Sequence, residues 1–335
     1  MESTEASAQR RPFIKLIFIS PDEPRLRAGW RLTLQTLLFI ALAAPLLVFT
    51  VVLNLMGVMP ISSNAELLIY ATIMVISTTT SVFIARRLFD RRNIESLGLS
   101  LNKQAIEDLF AGFLIPALMM ALIFFLEWIF GWSDYLGVIG TLSSMLRSLP
   151  SILFLLLTFI LIGWWEELLS RGYHLQNLED GINLPIATIL SSSVFGIQHL
   201  LNPNSGSIFM VAAGIFLAGL FLAFAYVRTR QLWLPIGLHI GWNFFEGPIF
   251  GFPVSGIKAE GLFVHEPIGP ELITGGAFGP EAGLIILPAL ALGVLLVYYI
   301  THGRNAAKID GSLDSLRVEE TNESAESEVV SEPPE

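Results

Sequence analysis

The chain of 335 residues has no cysteine, which excludes structural disulfides and thiolate metal sites. It is also short of charge: 14% of its residues are Asp, Glu, Lys or Arg, where a soluble domain carries about 25%. With 53% hydrophobic residues, that shortage excludes an ordinary soluble protein and leaves a polytopic one whose first partner is the lipid bilayer; no nucleic-acid partner is expected. No internal repeat is visible, which weakens a transporter built from inverted halves. The first apolar run begins only after about thirty polar residues, too late for the apolar core of a cleavable signal peptide.

What the chain has is long apolar runs. A membrane-spanning helix needs about 20 apolar residues, and eight candidates meet or approach this: Leu34–Met56, Leu67–Ile84, Leu109–Phe130, Ser151–Leu169, Leu184–Leu201, Ile208–Val227, Leu232–Phe250 and Gly283–Ile300. Pro235, Gly237 and Gly241 interrupt the seventh. Only helices and closed barrels satisfy backbone groups in lipid, and these runs are too long for barrel strands. The expected fold is therefore all-α, a bundle of about eight spans over residues 31–302. Residues 87–108 read as a connector with a short amphipathic helix, and 251–282 as a Gly/Pro-rich external loop without helix or strand signals.

Loop charges orient the bundle. Lys and Arg favour the cytoplasmic side. Arg10, Arg11, Lys15, Arg25, Arg27 and Arg31 precede the first span; Arg86, Arg87, Arg91, Arg92 and Lys103 follow the second; Arg228 and Arg230 follow the sixth. The other side has Arg147 and Lys258. Both termini are expected in the cytoplasm, most simply at the plasma membrane. The N-terminal segment 1–30 and the tail 303–335 flank the bundle. The tail holds nine acids against Arg304, Lys308 and Arg317, so it supplies −6 of the net charge of −10. It reads as disordered.

The informative residues are polar ones inside the apolar runs. Glu166 and Glu167 follow the unbroken run Ser151–Trp165. A carboxylate pair at bilayer depth is costly unless partnered, and marks a functional site by default. Neighbouring residues on a helix point about 100° apart, so one acid can face a cavity while the other supports it. Arg171 lies four residues after Glu167, on its face. That leaves Glu166 less neutralised and the better general base. His199 follows Phe195 by one turn, with Gln198 adjacent. If residues 181–183 turn a helical hairpin, Glu166 and His199 both rise roughly 20–25 Å from the turn and face each other. His239 and Asn243, at i and i+4, share another face. Counted from Arg230, His239 lies about nine residues into the bilayer, so either its segment starts deep or the site sits toward the cytoplasm. His174, His265 and His302 read as structural or solvated.

Glu-Glu-x-x-x-Arg (166–171), Phe-x-x-x-His (195–199) and His-x-x-x-Asn (239–243), in this order, resemble the CPBP family of CAAX-prenyl proteases and bacteriocin-processing enzymes, also called the Abi family. The resemblance covers about residues 150–250. It implies an intramembrane endopeptidase acting on a peptide or protein at the membrane, with a cavity reached from the cytoplasm. Glu166 would activate water with help from His199, His239 and Asn243 would form the oxyanion site or hold the water, and Glu167 and Arg171 would position the others. Two chemistries stay open: Glu166, His199 and His239 could ligate a divalent metal such as zinc, or the same groups could run metal-free acid–base hydrolysis. Two other functions remain alternatives, a non-catalytic scaffold or bacteriocin-immunity protein, and a proton-coupled transporter built on the Glu pair. A CAAX role implies a prenylated C-terminal peptide. The chain ends Glu-Pro-Pro-Glu, so it is not expected to be its own substrate.

Overall fold

The computed structural model describes residues 17–20, 25–57, 63–138, 142–258 and 261–304. Most of the segment 1–30 and nearly all of the acidic tail lie outside the described residues. The chain runs through α1 (Ala28–Leu55), α2 (Ser63–Leu88), α3 (Lys103–Ile129), β1 (Ser133–Val138) and α4 (Leu142–Glu167). The last continues through a π-helical stretch, Leu168–Leu175, into α5 (Gln176–Gly181). Then come α6 (Leu184–Gln198), α7 (Ile208–Thr229), α8 (Trp233–Phe244), β2 (Phe263–Pro267), α9 (Glu271–Thr274) and α10 (Ile286–Thr301). The protein is an all-α membrane bundle.

Six helices among the described residues are long and apolar enough to span: α1, α2, α3, the 39-residue rod Ser143–Gly181, α6 with its 3-10 extension, and α7. The seventh and eighth expected spans are shorter, 12 residues in α8 and 16 in α10. The reason in α8 is that it is a core helix: every residue from Leu234 to Asn243 is buried. Its glycines are contact points with α3. A Cβ added at Gly237 would lie 2.3 Å from the Leu109 carbonyl oxygen, and one at Gly241 2.2 Å from that of Phe113. Small residues that let backbones approach are the usual means of helix association in lipid. Gly241→Ala is therefore expected to cost about 1–3 kcal/mol by overpacking, read as a lower thermal midpoint in detergent.

Two segments differ from the sequence reading, the connector 87–108 and the loop 251–282. The connector 87–108 forms a 3-10 turn, Glu95–Leu97, and no amphipathic helix. Instead α3 starts early, at Lys103, because the Asn102 side chain caps it by accepting from the Ala105 N–H at 2.9 Å. The fourth helix runs on to Gly181, as the expected hairpin turn at 181–183 requires, and Arg171, Tyr173, Leu175, Gln176 and Asn177 on it are buried. The loop 251–282 is also more ordered than expected. Its β2 pairs antiparallel with β1, Ser133 opposite Pro267 and Val138 opposite Phe263, and its Phe252 and Phe278 are each only 2% exposed. Such a two-stranded ribbon carries little sequence signal.

One end of the bundle is tied together by ions. Asp180 of α5 accepts from Arg25 at 3.1 Å and Arg31 at 3.3 Å. Arg230 donates to Glu179 at 2.8 Å. Arg86 pairs with Asp90 at 3.0 Å, and Tyr173 donates to Asp90 at 3.2 Å. Four of the arginines that sequence counting gathered on one side, Arg25, Arg31, Arg92 and Arg230, thus meet Glu179 or Asp180 at the end of α5.

Candidate active site

The α4–α6 hairpin turns at Ile182–Asn183. The Asn183 side chain starts α6 by accepting from the Ile186 N–H at 3.0 Å. Glu166 and Glu167 form the last turn of α4, where the helix widens into the π-helical stretch. π-helical segments inside α-helices are frequent at functional sites.

The two acids diverge as helix geometry requires. Glu167 is fully buried and points at positive and donor groups. Its Oε1 accepts from Arg171 Nη1 at 2.7 Å and from His239 Nδ1 at 2.9 Å. Arg171 is held further by the Gly219 carbonyl of α7 at 2.8 Å and lies 4.5 Å over the Phe195 ring. Glu166 points elsewhere: its Oε2 lies 3.8 Å from His199 Nε2 and 3.8 Å from His239 Nε2. Its side chain is 12% exposed and that of His199 13%, against 0% for Glu167. The site therefore has a closed back and a partly open front.

The histidine tautomers follow from their other contacts. His199 Nδ1 sits 2.8 Å from the Phe195 carbonyl oxygen, which can only accept. His239 Nδ1 faces the Glu167 carboxylate. When the rings are neutral, these contacts put the hydrogen on Nδ1 in both, and Nε2 presents a lone pair toward Glu166. Three acceptors converge with no donor among them, and Glu166 Oε2 is buried without a hydrogen-bond partner.

His239 and Asn243 share a face of α8. With His199 they line a cavity of about 30 Å³ walled by Phe195, Ile215, Phe221 and Trp242. That space suits one or two waters. Before α8 the chain is anchored to the 87–108 connector: Leu232 is fully buried and its N–H donates to the Gly98 carbonyl at 2.8 Å.

All six residues singled out by sequence meet here, five through direct contacts and Asn243 through the cavity. The remaining histidines do not. His174 is half-buried on the π-helical stretch, His265 bonds Ser133 Oγ at 2.8 Å, and His302 packs on Tyr298. Gln198 is exposed. Sequence reasoning missed Ser255 and Glu281, which line the same cavity from the 251–282 segment. An acid in a Gly/Pro-rich loop reads as solvated, so no local signal marked it.

The donor set of Glu166, His199 and His239 is right in kind for a divalent metal. The 3.8 Å separations are wider than the roughly 3.3 Å between ligands that a tetrahedral zinc at 2.0–2.1 Å requires. Among the described residues no group of three or more His, Asp or Glu side chains is placed to hold a metal as it stands.

Residues 148–245 match the family model of the type II CAAX prenyl endopeptidase Rce1-like proteins, a span that contains all six residues. No curated protein matches the chain. The chain thus carries, within a helical membrane bundle, an Rce1-like domain of the CPBP family of intramembrane endopeptidases at residues 148–245.

Proposed function

We propose that this protein is an intramembrane endopeptidase that hydrolyses peptide bonds of membrane-associated substrates with a water activated by Glu166. The observation that carries this reading is the convergence of Glu166 Oε2 with two imidazole lone pairs at 3.8 Å. A water seated about 2.8 Å from such acceptors has two hydrogens for three lone pairs: it gives one to Glu166 and the other to one imidazole, and aims its oxygen away. Glu166 takes a proton as the oxygen attacks the scissile carbonyl. His199 and His239 orient the water. The Asn243 amide, one turn from His239, supplies an N–H to the developing oxyanion. Glu167 and Arg171 do not touch the substrate; they fix the His239 ring and tautomer. A prenylated CAAX-type C-terminus is the substrate class that the family description suggests, and the termini and arginine-rich end belong in the cytoplasm, with the plasma membrane as the site of action.

A divalent ion such as zinc would be held by Glu166, His199 and His239, and would polarise the carbonyl and acidify water. Metal analysis separates the two chemistries. The account expects cleavage of a peptide library by purified protein to survive a chelator. Stoichiometric zinc, lost in both His199→Ala and His239→Ala and accompanied by chelator-sensitive cleavage, assigns those residues as ligands instead.

A further inference from the structure

Hydrolysis of an amide needs two proton movements, one from the water and one to the leaving nitrogen, because an amine anion is too basic to leave. Glu166 serves the first. The structure also supplies a second carboxyl in the cavity that the histidine pair lines. Glu281 lines the 30 Å³ cavity together with His199, His239 and Asn243. Glu166 is not among the residues lining that cavity, yet lies 3.8 Å from both imidazoles. The histidine pair is therefore shared: Glu166 approaches it at 3.8 Å, and Glu281 lines the cavity that the pair also lines.

Glu281 is seated deliberately. It lies in a 3-10 turn, Pro280–Ala282, that packs on α7 at Gly214, where an added Cβ would fall 1.7 Å from the Glu281 carbonyl oxygen. Its side chain is 4% exposed as a residue, accepts from Trp242 Nε1 at 3.0 Å on Oε1, and meets Ser255 Oγ at 2.6 Å on Oε2. None of these partners is a cation. Glu281 lies beyond the family-matched residues 148–245, so the family motifs do not include it.

We propose that Glu281 is the general acid of this site, donating its proton to the leaving amine. This rests on the hydrolytic reading above. In the step, the C–N bond breaks and its electron pair stays on nitrogen. Nitrogen takes the Glu281 O–H proton, and that bond's electrons remain on the carboxylate. The products are a carboxylic acid and a free amine, and Glu281 recovers from solvent a proton equivalent to the one Glu166 took from water. Burial holds the Glu281 carboxyl above the ordinary carboxylate range, against the opposing hydrogen bonds from Ser255 and Trp242. Glu246 is the remaining acid within electrostatic reach. Two carboxyls in unlike surroundings are the usual division between base and acid.

Glu281→Gln tests the assignment cleanly, because the amide keeps the Trp242 and Ser255 hydrogen bonds. Wild type and E281Q are compared, as full chains in lipid nanodiscs, on a peptide cut by wild type and on a 4-nitrophenyl ester of the same acyl half. The phenolate leaves without a proton. E281Q is expected to lose roughly 10²-fold or more in kcat on the peptide, while ester hydrolysis stays within about threefold of wild type. Glu281→Asp should recover part of the loss. Wild-type peptide cleavage by E281Q, or equal losses on peptide and ester, overturns the assignment and leaves the hydrolytic reading standing. Failure of the wild type on every peptide and on 4-nitrophenyl esters overturns both together.

Discussion

Replacing Glu166 with Gln is expected to lower peptide cleavage by roughly 10²–10⁴-fold, the contribution of a positioned general base, with no loss of folded protein. The substitution keeps shape and volume. It removes no structural bond, since Glu166 Oε2 has no hydrogen-bond partner and both imidazoles stand 3.8 Å away. The Gln amide cannot take a proton from water, and its NH₂ would occupy one of the histidine lone pairs. The check is kcat on a cleaved peptide beside the thermal midpoint of the same preparation. Full activity in Glu166→Gln contradicts the mechanism.

Arg171→Ala is expected to do the opposite in kind: to unfold as well as inactivate. Arg171 and Glu167 are 1% and 0% exposed, joined at 2.7 Å. Removing one partner of a buried pair typically costs about 3–5 kcal/mol, because the other charge is left without compensation. Here the loss spreads. The Gly219 carbonyl loses its donor, Phe195 loses the cation above its ring, and His239 is left facing a carboxylate with no guanidinium behind it. The expected result is a thermal midpoint well below wild type and cleavage reduced even at temperatures where the variant is folded. Arg171→Lys keeps the charge but lacks the planar fork that serves Glu167 and Gly219 together, so it should fall between. A midpoint for Arg171→Ala equal to wild type would mean the pair is not structural.

These two expectations show which parts of the molecule a sequence exposes. Glu166, Glu167, Arg171, His199, His239 and Asn243 stand out because a polar side chain in an apolar run is expensive, and cost is legible in one dimension. The hairpin facing of Glu166 and His199 follows from helix rise alone. Helix class followed from run length, but span count did not. The α8 segment is apolar because protein surrounds it, and apolarity does not distinguish protein from lipid. The early start of α3 turned on one capping side chain, Asn102. Glu281 and Ser255 were invisible for a different reason. Their segment has no periodicity, and what seats Glu281 is the close approach of its backbone to Gly214 on a distant helix, a contact that local pattern cannot encode. Half of the catalytic proposal thus lies in residues with strong local signals and half in a loop with none.

The most direct test of the central claim is mass spectrometry of peptides cleaved by the purified protein in ¹⁸O-labelled water, wild type beside Glu166→Gln. The account predicts new C-termini bearing one label with wild type and essentially none with Glu166→Gln. Labelled products at equal rate from both proteins would contradict it.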